Sequence, residues 1–194
     1  MKRGAQTKLK ILDTGIDMAG SHGLEGVTIG TLAKAVGMSK SGLYAHFSSK
    51  EDLQIEILKR AGEIFSENVI IPALKTKAGI PRINALVDNW VAWGEKIKGG
   101  CIFVKSSADF NAREGRIKDF LRFQQLEWID CLSRIGNSAV RVEDFRSDID
   151  CRQFAFDLYS LLLGFHLYDT MLDTDETKIR KENALLRLLD YYRK

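Results

Sequence analysis

The stretch from Thr28 to Phe47, TIGTLAKAVGMSKSGLYAHF, decides how the rest of this chain is read. Its apolar residues Ile29, Leu32, Ala33 and Val36 recur at helical spacing over barely two turns, with Thr28 placed as an N-cap and Gly37 supplying the turn. Ser39 caps a second short piece that ends at Phe47. Two short helices joined by a glycine-containing turn make a helix-turn-helix. Met38, Leu43 and Phe47, together with the four apolar residues before them, would hold both pieces against a preceding helix. That helix is expected over 7–21, with Leu12, Ile16 and Ala19 on one face and His22-Gly23 as its stop.

Such packing leaves Lys40, Ser41, Tyr44 and His46 pointing away from the core. An ammonium, a hydroxyl, a phenol and an imidazole suit contacts to phosphate and base edges, and the second helix of this motif is the one that enters the major groove. No acidic residue occurs between Gly26 and Lys50, so nothing on this face repels a phosphate backbone. Charge is distributed to match. Residues 1–60 hold nine Lys/Arg and six Asp/Glu, which accounts for the whole net charge of +3 and leaves 61–194 neutral.

At 194 residues, 45% hydrophobic and 28% charged, the chain has the balance of a soluble globular protein with room for a small domain and a medium one. No run approaches the about eighteen apolar residues of a spanning helix. Behind the basic start Met1-Lys2-Arg3-Gly4, the residues Lys8, Lys10 and Asp13 interrupt what a signal peptide would need, and a cytoplasmic protein is expected. Cys101, Cys131 and Cys151 are widely spaced and odd in number, which argues against a disulfide or zinc site. No metal or cofactor is expected. Cys101 reads as a packed thiol, with redox sensing as the alternative.

Only Pro72 and Pro81 interrupt the chain, and helical periodicity runs almost throughout, so an all-α fold is expected. Ser49 with Asp52 opens a long helix that carries Leu53, Ile57, Ala61, Ile64 and Phe65 toward Pro72. Pro81 fits the first turn of a helix running to about Ile97, broken by Gly99-Gly100. Further helices are expected over about 102–110 and 113–140. Asp150 with Gln153 opens one carrying Phe154, Leu158, Leu161, Leu162 and Phe165, and the last spans about 175–192. The final two are apolar beyond the needs of one small core, which points to an isologous four-helix bundle between two copies.

Taken together, Gly23-Leu24-Glu25-Gly26-Val27-Thr28, Leu32-Ala33, Gly37-Met38-Ser39 and Leu43-Tyr44-x-His46-Phe47-x-x-Lys50-x-x-Leu53 resemble the signature of the TetR regulator family, over about 7–58. The resemblance implies a dimeric transcriptional regulator on double-stranded operator DNA, most simply a repressor released by a small-molecule effector. It implies a DNA-binding domain over 1–52, with its helix-turn-helix at 28–47, and a larger helical effector-binding and dimerisation domain over 53–194. By position, Thr28 would offer its hydroxyl and amide to a phosphate at a helix N-terminus. Ser39, Lys40, Ser41 and Tyr44 would lie along the groove, with Lys40 reading a guanine edge and Tyr44 touching phosphate, while His46 and Lys50 would hold the backbone on the far side. Gly42 offers no side chain, so DNA shape would share the recognition. Each residue has a plainer role open to it: Tyr44 as a half-buried packing residue, His46 as a cap or core group, Lys50 as a surface lysine. Lys2, Arg3 and Lys8 would form an arm that either touches DNA or stays solvated.

The family's second domain is similar only in architecture, and here Lys98-Gly99-Gly100-Cys101-Ile102-Phe103 and the segment 161–168 resemble one subgroup of it. It implies dimerisation through the last two helices and names no ligand. Aromatic residues available to line an effector cavity are Trp90, Trp93, Phe103, Phe110, Phe123 and Trp128, with Ser107, Asp109, Gln124 and His166 as polar members; core packing is the other role open to each. A helical enzyme finds no support, since no phosphate loop, HExxH or serine elbow is present and the three histidines are scattered. A helical ligand-binding or interaction protein without operator binding is the remaining alternative.

Overall fold

The computed structural model describes residues 3–96, 100–172 and 174–194. Among them the chain forms ten α-helices and no strand, so the all-α expectation holds. One isolated antiparallel bridge joins Phe145 to Arg193. Two compact units emerge, Met1–Ser66 with Glu95–Arg122, and Glu67–Gly94 with Phe123–Lys194.

In the first unit, α1 (Arg3–His22) buries Ile11, Leu12, Ile16 and Ala19 on one face, while Asp13 and Asp17 stay outside. It starts four residues earlier than expected at Thr7, because Gly4, Ala5 and Gln6 are exposed and add nothing to the apolar pattern. Gly23 ends α1 with φ 78°, a left-handed conformation that glycine adopts freely, and a 3-10 turn follows over Leu24–Gly26. Then come α2 (Ile29–Val36), α3 (Lys40–Tyr44) and α4 (Lys50–Phe65). The second motif helix is shorter than expected: past Tyr44 the chain turns, with the His46 and Phe47 amides both donating to the Leu43 carbonyl at 2.9 and 3.1 Å, and this turn carries Phe47 into the core. α1 packs on α2 and α4, and α2 on α3.

Pro72 does not stop the chain after α4. A π-helical turn over Ser66–Ile70 leads into α5 (Ile71–Lys75), with Pro72 in its first turn, where a missing N–H costs no helical hydrogen bond. Next, α6 (Ile80–Lys96) buries Ile83, Leu86, Val87, Trp90 and Trp93, and the Ile80 amide at its start donates to Asp144 Oδ2 at 2.8 Å. The expected helix end near Ile97 and the break at Gly99 lie outside the described residues; Gly100 has φ 85°. α7 (Ile102–Phe110) runs as expected and packs on α1 and α4 within the first unit.

After Gly115, α8 (Arg116–Arg141) contributes residues to both units: Ile117 and Leu121 are in the first core, Leu132 and Ile135 in the second. α9 (Cys151–Leu172) and α10 (Asp175–Tyr192) pack on each other. The second core closes on Phe145, Phe154 and Tyr192, whose ring centroids stand 5.1 to 5.8 Å apart. Tyr192 Oη donates to Asp157 Oδ2 at 2.5 Å, and burial, joined by this hydrogen bond, pushes the phenol well above its ordinary range.

Candidate DNA-binding surface

Local backbone chemistry builds the helix-turn-helix. Thr28 caps α2: its Oγ1 accepts from the Thr31 amide at 3.1 Å, and its own amide donates to Thr31 Oγ1 at 2.9 Å, a reciprocal box in which a threonine takes the usual glutamate's place. Gly37 closes α2 at φ 69°, where a Cβ would be strained. Ser39 caps α3 by accepting from the Gly42 amide at 3.1 Å, and its Oγ lies 3.0 Å from Ser41 Oγ. A Cβ on Gly42 would stand only 3.2 Å from the Ser39 Oγ. Three buried residues, Leu32, Leu43 and Phe47, pin the pair of helices from within.

What remains outside is the expected face. Lys40 and Ser41 are exposed, and Tyr44 is 57% exposed. Lys40 lies back across α2, its Cε 3.3 Å from where a Cβ on Gly30 would be. His46 is half-buried, its ring 6.2 Å from that of Phe47. Lys50 opens α4 and is engaged: Nζ stands 2.6 Å from Glu25 Oε1, while Glu25 Oε2 accepts from Arg113 Nη1 at 2.9 Å. The Lys50 hydrogen bond first, and the charges of Lys50 and Arg113, hold the Glu25 carboxyl below its ordinary range. Of the expected arm, Lys2 and the Arg3 side chain lie outside the described residues, and Lys8 turns to α4, pairing with Glu56 Oε2 at 2.8 Å.

Two positioning residues escaped the sequence pattern. Gln54 is 2% exposed, and its Nε2 donates to the Leu24 and Val27 carbonyls at 2.7 and 3.3 Å, fixing the turn that leads into Thr28. The signal was present, since Gln54 shares the inward stripe of Leu58 and Ala61. Glu25 gave no such signal, because its partners are distant in sequence.

Of the expected effector residues, Trp90, Trp93 and Trp128 are buried and Gln124 and His166 half-buried in the second unit. The His166 ring meets Trp90 edge-on at 6.0 Å, and burial lowers its imidazole pKa, opposed by Asp169. Trp128 meets Tyr159 at 6.3 Å, whose hydroxyl donates to Gln125 Oε1 at 2.6 Å. Phe103, Ser107 and Phe110 belong to the first unit, where Phe103 packs on Phe65 at 6.1 Å and Phe110 lies under the Arg113 guanidinium at 4.9 Å. Among the described residues no cluster of His, Cys, Asp or Glu could hold a metal ion, and no helix is long and apolar enough to cross a membrane.

Comparison with known proteins gives this surface its context. Residues 11–66 match the model of bacterial regulatory proteins of the tetR family, and residues 79–185 match that of the tetracyclin repressor-like C-terminal domain. The chain belongs to the TetR family. TetR-family regulators bind operator DNA and form dimers, and the family role is that of a DNA-binding repressor with a ligand-binding C-terminal domain. A curated relative, the HTH-type transcriptional repressor AcnR of Corynebacterium jeikeium (strain K411), is 24% identical over 90 residues, 44% of this chain and 46% of AcnR. The chain thus spans about half the length of the curated relative it matches. The crystal structure of a TetR transcriptional regulator from Chloroflexus aurantiacus J-10-FL is similar with a TM-score of 0.86 at 21% identity, over 98% of this chain and 96% of that one. AibR, crystallised with isovaleryl coenzyme A and operator DNA, is similar with a TM-score of 0.65 at 21% identity, over 81% of this chain and 84% of its own. At such identities these TetR-family structures share the fold.

Proposed function

We propose that this TetR-family chain is a homodimeric repressor that places α3 in the major groove of its operator and is released by a small-molecule effector. The observation that carries the DNA assignment is the exposed Lys40, Ser41 and Tyr44 face on a capped, core-pinned α3, bordered by a stretch free of acids from Gly26 to Lys50. Thr28, Ser39, His46 and Lys50 complete the contact set, with recognition held within residues 1–52. Effector binding and dimerisation fall within 53–194. Exposed Phe156, Leu167 and Met171 on α9 and Ile179 and Leu186 on α10 supply the apolar surface for a four-helix interface with a second copy. Two heads so joined would address successive major grooves, about 34–36 Å apart.

For the effector we assign Trp90, Trp93, Gln124, Trp128 and His166, while Phe103 and Phe110 serve the first unit's core. AibR, with both a coenzyme A thioester and operator DNA bound, supports a fold that serves two ligands. A regulator rather than an enzyme is favoured by His22, His46 and His166 standing on separate elements, and operator binding would put the protein in the cytoplasm. Footprinting upstream of the chain's own gene tests this. Wild type should protect a two-fold-related site, and Lys40→Ala with Tyr44→Ala should weaken protection by about tenfold or more, as the loss of one base-edge and one phosphate contact does. Undiminished protection by the double variant would sink the groove assignment.

A further inference from the structure

Lys50 sits in the first turn of α4, where a cation meets the positive end of the helix dipole. Glu25 Oε1, 2.6 Å from its Nζ, offsets that cost. The same carboxylate is shared, for Arg113 Nη1 donates to Oε2 at 2.9 Å from the segment just ahead of α8. Neighbouring contacts hold that segment and α7 in place: Arg116 Nη1 lies 3.4 Å from Glu51 Oε2, and Lys105 Nζ donates to the Gly20 carbonyl at 2.9 Å. All of these contacts lie within the first unit. Lys50, Glu25 and Arg113 each keep between about a third and a half of their side-chain surface in water, so their pairings are weak and exchange readily.

We infer that Glu25 sets the affinity of the operator contact by competing with DNA phosphate for Lys50, and that Arg113 tunes this competition by drawing on the same carboxylate. Resting on the operator-binding proposal above, the inference adds a residue that opposes binding and a second that relieves the opposition. When Arg113 holds Oε2, Lys50 gives up less on turning to phosphate. When Arg113 withdraws, Glu25 keeps Lys50 for itself. Arg113 stands just ahead of α8, so a shift of that segment within the first unit reaches a DNA contact through one carboxylate.

The test is a double-mutant cycle read on DNA. A duplex enriched from a random-sequence library by the wild-type protein is titrated across a salt series with wild type, Glu25→Gln, Lys50→Gln, the Glu25→Gln/Lys50→Gln double variant and Arg113→Gln. Glu25→Gln should bind about three- to eightfold tighter at 0.1 M salt, with the log–log salt slope steeper by about 0.9, the signature of one more phosphate engaged. That gain should largely vanish in the Lys50→Gln background, and Arg113→Gln should bind about twofold weaker than wild type. A gain that persists undiminished without Lys50 overturns the inference, since Glu25 would then act as a bare negative charge near DNA. So does an unchanged salt slope, or tighter binding by Arg113→Gln. If wild type enriches no duplex, the operator-binding proposal falls and takes this inference with it; if wild type binds and the cycle shows no coupling, only the inference falls.

Discussion

Gln54 gives its side-chain amide to two backbone carbonyls in an otherwise apolar interior. Replacing it by leucine keeps the volume and removes both donors, leaving the Leu24 and Val27 carbonyls buried without that partner. We expect Gln54→Leu to lower unfolding stability in urea by about 1–3 kcal/mol; a loss near zero would show that water replaces the amide. The core residues of the motif were legible one by one, because Leu32, Leu43 and Phe47 declare themselves by apolar spacing and are buried. The contact face was legible for the complementary reason, as what that spacing leaves outside. Pairings were not. Lys50 meets Glu25 twenty-five residues away, and Lys8, expected in a DNA arm, meets Glu56 forty-eight residues away. Long flexible cations take whichever carboxylate the tertiary fold brings near, and no local pattern records that.

Helix starts were readable wherever a side chain makes them. Thr28, Ser39 and Ser49 each accept from the amide three residues on, as expected. Asp150 caps α9 by accepting from the Arg152 and Gln153 amides at 2.8 and 3.3 Å, although the Gln153 side chain turns to Asp157 rather than back to the cap. Asp150→Ala should therefore cost about 1 kcal/mol and lower the thermal midpoint, followed by circular dichroism. An unchanged midpoint would mean that water caps α9 equally well. Two other starts were misjudged: α1 begins a turn early at Arg3, and α8 begins at Arg116 rather than 113, whereas α7 and α10, which have no side-chain cap either, begin where expected. The passage of the chain through a π turn to Pro72 was invisible for a related reason. A proline lowers the odds of helix continuation locally, whereas a wider turn that accommodates it depends on the packing around it.

At the scale of the whole molecule, all-α architecture was legible from periodicity and scarce prolines, and so was the surplus apolar surface of the last two helices. Met171 is 75% exposed, and Leu167 one turn before it is exposed as well. If these residues face a second copy, Leu167→Glu with Met171→Glu should convert a dimer to a monomer in sedimentation at micromolar concentration while leaving helix content unchanged. A monomeric wild type, or a variant that stays dimeric, would move the interface elsewhere. What could not be read was the make-up of the compact unit that contains the DNA-binding domain expected over 1–52. It continues to Ser66 and recruits Glu95–Arg122, whose Ile102, Phe110, Ile117 and Leu121 join the core of α1 and α4. Such recruitment is a contact between segments far apart in the chain, and sequence spacing carries no trace of it. For gene rearrangement, the consequence is that no single crossover point can transplant this reading head intact. A chimera joined at residue 52 or 66 inherits the head without the four side chains that finish its interior, so a transplant of this unit with its core complete must move two separate gene segments together.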